Sequence, residues 1–184
     1  NDGLRQVAET LPIKVGKILV TGATGLIGSC CIDALLYANE YCGCRFEIFA
    51  LGRSQEKISK RFKGKVTPVV QDVVMPLTLD VVFDYIIHAA SNADPKMYAL
   101  QPAETIITNV IGTKNVLEYC KKNIDTRLLL TSTFEVYGKI DGIDVYSENM
   151  VGLVDFHMLR NGYTESKRCA EMLVNSYIDE YGID

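Results

Sequence analysis

The sequence lacks the features that mark several large classes of proteins. No apolar run approaches the roughly 20 residues that span a bilayer, so we expect no membrane segment. The net charge of −4 and a sequence pI of about 5.3 argue against a nucleic-acid partner, because such proteins usually carry a basic face. The six cysteines and two histidines form no CxxC or Cys/His pairs, so we expect no metal site.

The composition is that of a folded domain. Hydrophobic residues make up 48% of the 184 and charged residues 23%, which predicts one domain with a substantial core. No signal-peptide pattern opens the chain, and several cysteines fall within apolar patterns. We therefore expect reduced, mostly buried thiols and a cytoplasmic protein. Residues 1–16 are expected to form an N-terminal arm or a short helix before a domain over 17–184. Because the chain stops directly after a helical pattern, we interpret it as a fragment.

Strand and helix patterns alternate along the domain. Short apolar runs predict buried strands at 17–22, 45–52, 65–72, 84–91 and 127–133. Helical patterns follow the first strand and recur at 54–62, 102–122 and 161–182. Ser54 is expected to cap a helix, and Pro68 indicates an edge strand. This order predicts an α/β fold, a doubly wound parallel sheet with helices on both faces. Residues 139–160 are expected to form a long loop, which is often functional.

The first predicted strand enters its helix through TGATGLIGS, residues 21–29. Gly22 allows a tight turn, Gly25 lets the backbone approach a pyrophosphate, and Gly28 lets helix and strand pack closely. Free N–H groups and a partial positive charge at the helix start favour an anion. A turn that is glycine-rich for other reasons is the alternative. The strand–turn–helix context favours a dinucleotide site, to which we also assign Thr24, Leu26 and Ile27.

The end of the second strand is expected to select the cofactor. An acidic residue there suits the ribose 2′-hydroxyl of NAD, whereas an arginine suits the 2′-phosphate of NADP. The sequence has Gly52 and Arg53, which favours NADP, unless Arg53 is a solvated charge or stacks on adenine. Asp72, followed by Val73, is expected at the cofactor, where its carboxylate accepts from the adenine amino group. A plain turn residue is the alternative for Asp72.

Tyr163 and Lys167 are four residues apart on the last predicted helix and therefore share a face. A tyrosine with a pKa near 10 is a poor base at neutral pH. A nearby ammonium group favours the phenolate, so Lys167 is expected to lower the pKa of Tyr163. This pair predicts a tyrosine that transfers protons near physiological pH.

Motifs along the chain match one family in sequence and in order. They are TGATGLIG, HAAS at 88–91, NVIGTKNVLE at 109–118, STFEVYG at 132–138 and YTESK at 163–167. Through them residues 17–184 resemble the extended short-chain dehydrogenase/reductase family. The resemblance implies a Rossmann fold, a nucleotide-sugar substrate and a cofactor that is usually NAD. It also implies a cofactor site lined by Ala89, Ala90 and Ser91, with Thr131 on the cofactor side or structural, and Asn109 bracing the sheet.

The resemblance also implies the catalytic groups. Tyr163 would remove a proton from a sugar hydroxyl while hydride passes to the nicotinamide, and Thr133 would hydrogen-bond the same oxygen. Lys167 would hold the ribose and tune Tyr163. The resulting keto-sugar is primed for epimerisation, elimination or decarboxylation, and Glu135 would serve as the acid or base of that second step.

Within the family the chain is most similar to decarboxylases of the UDP-glucuronate type. TFEVYG and RNGYTESKR match their strand end and helix start, including Arg160 and Arg168. Phe134 stands where the dehydratases carry an aspartate and the decarboxylases a serine. A phenyl ring donates no proton, so Phe134 argues against 4,6-dehydration and leaves the second step open.

Two other functions remain open at this point. One is an NADPH-dependent carbonyl reductase, which Arg53 favours, and the other is a cofactor-binding fragment without activity. The family places much of its substrate domain after the point where this chain stops. It also implies a homodimer through the YxxxK helix and the helix before it. His88 is expected to be a packing residue at a strand end.

Overall fold

The sheet is parallel throughout and has five strands. The computed structural model describes residues 2–184. Its strands, β1 to β5, are Val15–Thr21, Arg45–Gly52, Thr67–Val70, Tyr85–His88 and Arg127–Leu130. They lie in the order β3-β2-β1-β4-β5. The chain therefore moves outward from β1 in one direction, returns, and moves outward in the other, which confirms the doubly wound Rossmann topology.

Within residues 2–184, six α-helices connect and cover these strands. Helices α1 to α6 are Asp2–Thr10, Leu26–Tyr41, Gln55–Phe62, Pro95–Leu100, Pro102–Lys122 and Gly162–Tyr181. Single 3₁₀ turns occur at Phe134–Tyr137 and Leu159–Asn161. No helix within residues 2–184 is long and apolar enough to cross a membrane.

The two faces of the sheet bury separate cores, because successive side chains of a strand point to opposite faces. Ile18 and Val20 of β1 pack with α1, α2 and α3 on one face. Leu19, between them, packs with α5 and α6 on the other. Ala8 is fully buried in the first core, so helix α1 packs on the domain through that residue.

Several local predictions are confirmed by the structure. Ser54 caps α3, where its side chain accepts a hydrogen bond from the Lys57 amide at 3.3 Å. Pro68 lies on β3, at one edge of the sheet, where its missing N–H costs no ladder hydrogen bond. Helix α5 begins at Pro102. The long loop 139–160 contains only one isolated bridge, between Lys139 and Leu153, and the second 3₁₀ turn.

Other predictions were wrong in part. Strands β4 and β5 end at His88 and Leu130, three residues earlier than predicted in each case. Helix α4 was not predicted; it is a short helix whose Lys96 amide is capped by the Asp94 carboxylate. The thiols are also less buried than expected, since Cys30 and Cys169 are exposed, although all six cysteines are free.

Candidate active site

The glycine-rich turn packs so closely that no side chain fits at its key positions. A Cβ on Gly22 would lie 2.7 Å from the Ala89 carbonyl oxygen, and Gly22 has a φ of +63°. A Cβ on Gly28 would lie 2.4 Å from the Gly22 carbonyl oxygen. Gly25 is the N-cap of α2 and offers no side-chain cap. The amides of the first turn of α2 are therefore left for a ligand, which fits a pyrophosphate.

A cleft of about 200 Å³ extends from this turn across the carboxyl ends of β1, β2 and β4. Most of the predicted cofactor residues line it together, namely Gly22, Thr24, Gly25, Arg53, Asp72, Val73, Ala89, Ala90 and Ser91. Leu26 and Ile27 do not; they begin α2 and are 83% and 52% exposed. The Ser91 hydroxyl and the Asn92 amide nitrogen are buried without a hydrogen-bond partner in the described chain. Such unpaired groups on a polar cleft fit an extended polar ligand such as a dinucleotide.

Both residues expected to choose the cofactor have partners within the protein. Arg53 forms an ion pair with Glu104 of α5 at 3.4 Å, and both side chains are about half or more exposed. The Asp72 carboxylate accepts a hydrogen bond from the Val74 amide at 3.1 Å, which is the behaviour of a turn residue. Its role toward adenine stays a prediction.

The ends of β1, β4 and β5 are joined by a buried hydrogen-bond network around His88. The Thr21 hydroxyl oxygen accepts from the amides of Ala89 and Ala90, each at 3.2 Å, so its own proton is directed to His88 Nδ1 at 2.7 Å. His88 Nε2 then carries the ring proton and donates to Thr113 at 3.2 Å. Burial, together with the charge of nearby Lys167, lowers the pKa of His88 to about 3. His88 is thus a neutral hydrogen-bonding residue and more than the packing residue predicted.

Thr131 connects this network to helix α6. Its hydroxyl donates to the His88 carbonyl oxygen at 3.0 Å, and its own carbonyl oxygen accepts from Lys167 Nζ at 2.9 Å. Lys167 is 4% exposed. Burial lowers the pKa of the Lys167 ammonium to about 8, and the carboxylate of Glu171 opposes that shift.

Tyr163 lies one helical turn before Lys167 and is nearly as buried. Its ring stacks on that of Tyr98 from α4, with centroids 4.8 Å apart and planes 14° from parallel. Burial raises the pKa of Tyr163, and hydrogen bonding to Thr133 opposes that effect. The predicted lowering by Lys167 is not found, because desolvation dominates and the Lys167 ammonium is bonded to a backbone carbonyl instead.

The Glu135 carboxylate is held by side chains from the second 3₁₀ turn and from the first turn of α6. Its Oε2 accepts from the Thr164 hydroxyl at 2.9 Å and from Arg160 at 3.5 Å. Thr133 caps the 3₁₀ turn that carries Glu135, accepting from the Glu135 amide at 3.3 Å. Phe134 is 78% exposed. With Glu135 it lines a second cavity of about 490 Å³, together with residues of loop 139–160, Arg160, Asn161 and Thr164.

The sequence profile of the NAD dependent epimerase/dehydratase family matches residues 18–184. The chain belongs to this family. UDP-glucuronic acid decarboxylase 6 of Arabidopsis thaliana is 37% identical over 169 residues, which are 91% of this chain and 48% of that protein. UDP-glucuronic acid decarboxylase 1 of Xenopus tropicalis is 35% identical over 168 residues, 91% of this chain and 39% of that protein. The chain spans about half the length of the Arabidopsis relative and less than half the length of the Xenopus relative.

Solved structures of family members share the fold. The UDP-glucose 4-epimerase of Thermotoga maritima, with UDP-glucose, matches with a TM-score of 0.73 and 21% identity over 91% of this chain and 52% of that one. The dTDP-glucose 4,6-dehydratase of Bacillus anthracis, in complex with NAD, matches with a TM-score of 0.70 and 23% identity, with the same coverage. The preference for NADP that Arg53 predicted is not confirmed, since the family is described as NAD-dependent.

Asn109 lies on the predicted helix, but its side chain has a different partner from the one expected. It braces α6 rather than the sheet, because its amide nitrogen donates to Ser166 at 2.9 Å and Ser166 donates to the Tyr163 carbonyl oxygen at 2.8 Å. Its amide oxygen is buried and has no partner in the described chain. Asn109 therefore fixes the helical turn that carries Tyr163, and a direct contact with the cofactor stays a prediction.

Three residues of the site were missed from the sequence. Tyr98, Thr164 and Thr21 all contact predicted site residues. Thr21 and Thr164 lie within the glycine-rich and YxxxK motifs but were given no role there. Thr164 adjoins the YxxxK tyrosine, so its neighbourhood was the only available signal. Tyr98 lies 65 positions before Tyr163 on a helix that was not predicted, so only the folded chain brings the two together.

Proposed function

We propose that this chain carries the cofactor-binding and proton-transfer residues of an NAD-dependent enzyme that modifies a nucleotide sugar through a transient keto-sugar. One observation supports this most. Tyr163, Thr133 and Lys167 converge beside the carboxyl ends of the strands, next to the glycine turn whose free amides suit a pyrophosphate. In doubly wound sheets this edge is where ligands bind.

NAD is the proposed cofactor, and when bound it supplies the acceptor and then the donor of hydride. The cleft lined by Gly25, Ala89 and Ser91 would hold it. Arg53 is neutralised by Glu104, whose carboxylate would repel a 2′-phosphate, so the ion pair supports NAD over NADP. The same ion pair weakens the case for an NADPH-dependent carbonyl reductase.

Tyr163 would accept the proton of the sugar hydroxyl, and Thr133 would donate a hydrogen bond to the oxygen as it becomes a carbonyl. The raised pKa of Tyr163 means that the phenolate requires positive charge nearby when the substrate is bound. Lys167, with a pKa of about 8, is charged at neutral pH and is the group of this chain best placed to supply it.

Glu135 would act in the step that follows oxidation. Its carboxylate is anchored by Thr164 and Arg160, so it faces the second cavity in a fixed position. The exposed ring of Phe134 beside it offers no proton, which disfavours dehydration. The named relatives are decarboxylases, and we propose decarboxylation or epimerisation of a UDP-sugar as the overall reaction.

Two further proposals concern the protein's state. A homodimer through α5 and α6 is supported by exposed apolar side chains on both helices, Ile107, Ile111 and Met172. The test compares the native chain with I111E, which places a charge on α5, by analytical sedimentation. A native dimer and an I111E monomer would support the homodimer, whereas equal sedimentation of the two proteins would contradict it. A cytoplasmic location is supported by six free cysteines.

The test of the reaction is Y163F, with Y181F as a matched control at the far end of the same helix. NAD binding is measured by calorimetry, and turnover of UDP-glucuronic acid and UDP-glucose by chromatography of the products. We expect Y163F to bind NAD and to lose turnover, while Y181F keeps both. Turnover by Y163F at the native rate contradicts the proposed role. NAD binding without turnover by the native chain would instead favour a cofactor-binding fragment.

A further inference from the structure

Tyr98 makes two kinds of contact at the active site through different parts of its side chain. It is buried, with 4% of its surface exposed, and its ring lies parallel to that of Tyr163. The hydroxyl accepts a hydrogen bond from Arg160 at 3.2 Å, and the guanidinium also approaches the ring at 5.7 Å. The stack on Tyr163 uses only the ring, and the hydrogen bond from Arg160 uses only the hydroxyl, so the two contacts can be tested separately.

These contacts close a loop of side chains around Tyr163. Arg160 reaches from the Tyr98 hydroxyl to the Glu135 carboxylate at 3.5 Å. The shorter contact of that carboxylate, at 2.9 Å, is with Thr164, the residue directly after Tyr163 on α6. One connected group of side chains, from α4, both 3₁₀ turns and α6, therefore sets the orientation of the Tyr163 phenol and the position of the Glu135 carboxylate.

We propose that Tyr98 is a positioning residue for Tyr163: its ring fixes the plane of the phenol, and its hydroxyl holds Arg160 beside Glu135. The inference rests on the proposed function for its catalytic consequence. A phenol rotates about its Cβ–Cγ bond unless a neighbour packs against its face, and parallel aromatic rings provide that packing. Proton transfer depends on such placement, because small displacements of a reacting group cost large factors in rate.

Two substitutions separate the parts of Tyr98. Y98F keeps the ring and removes the hydroxyl, whereas Y98L removes the stacked face. In the purified protein with saturating NAD and UDP-glucuronic acid, we expect Y98L to lower kcat by about tenfold or more and Y98F by no more than about threefold. NAD affinity and the KM for the sugar nucleotide should change little in either, since Tyr98 does not line the cofactor cleft.

A second measurement is independent of activity. With isotopically labelled tyrosine, nuclear magnetic resonance reports how often the Tyr163 ring flips, and we expect Y98L to accelerate flipping while Y98F leaves it slow. If Y98L does not fold, Y98M replaces it, because its unbranched side chain fills the space without a planar face.

The outcomes separate this inference from the proposed function. Unchanged kcat and unchanged ring flipping in Y98L would overturn the role of Tyr98, as would a loss in Y98F equal to that in Y98L. If the native protein converts no nucleotide sugar, the proposed function fails, while ring flipping still decides whether Tyr98 positions Tyr163. A parallel fall in kcat and NAD affinity would indicate a structural role and would also overturn the proposal.

Discussion

Replacing Lys167 by methionine should change how the stability of the protein depends on pH. The pKa of the buried ammonium is lowered from 10.5 to about 8. Between those values the unfolded chain binds more protons than the folded one, so stability rises with pH through that window. Below pH 8 both forms are protonated and burial costs the folded state the full difference, about 3 kcal/mol. K167M has no such group and should lack the rise.

The experiment compares the free energy of unfolding of the two proteins by urea denaturation from pH 7 to 10.5. The native protein should gain about 3 kcal/mol relative to K167M across this range, at close to 1.4 kcal/mol per pH unit at its steepest. His88 stays neutral throughout, and Tyr163 is present in both proteins, so the contributions of these two groups cancel from the difference. K57M, at an exposed lysine of α3, is the matched control and should show a constant difference. If the difference in the free energy of unfolding between the native protein and K167M is also independent of pH, the argument from the burial of Lys167 is refuted.

Three other predictions follow from contacts at the site. G28A should weaken NAD binding about tenfold or more, because the alanine Cβ would lie 2.4 Å from a backbone oxygen. A dissociation constant for NAD equal to that of the native protein, measured by calorimetry, would contradict this. E104Q should free Arg53 and raise the affinity for NADP relative to NAD, and an unchanged ratio of dissociation constants would argue against the ion pair. R168M removes the donors to the Val136 and Gly152 carbonyl oxygens, at 2.6 and 2.9 Å, so the amides of loop 139–160 should exchange hydrogen faster, as measured by mass spectrometry. Exchange at the native rate would contradict that role of Arg168.

The fold was largely predictable because it depends on local patterns. The strand 45–52 and the helix 102–122 have the predicted bounds. The apolar run of the strand ends at Gly52, and the helical pattern begins at Pro102. The glycine turn was predictable for a related reason: Gly22 has a backbone angle that favours glycine, and Gly28 has no room for a Cβ. These constraints act between neighbours in the sequence, so the sequence records them directly.

The parts of the site that failed depend on tertiary contacts. The stack of Tyr98 on Tyr163 requires α4 and α6 to be packed together, and no spacing in the chain indicates it. The pKa of Tyr163 depends on burial, which outweighs a lysine one turn away. Asn109 was expected to brace the sheet, whereas its partner, Ser166, lies on α6. In each case the outcome is set by tertiary packing and burial, which local sequence patterns do not record.

The exit of β5 shows how the strand organises the chemistry. Three consecutive hydroxyl residues there have three different partners: Thr131 bonds to β4, Ser132 to Glu171 of α6, and Thr133 to the turn that carries Glu135. The same short segment accepts from Lys167 through the Thr131 carbonyl oxygen. Lys167, Tyr163 and Glu135 are therefore all in contact with one stretch of the chain. Because this stretch leaves a sheet whose register is fixed, the residues that we propose for proton transfer are positioned by a rigid element, although they stand at its irregular end.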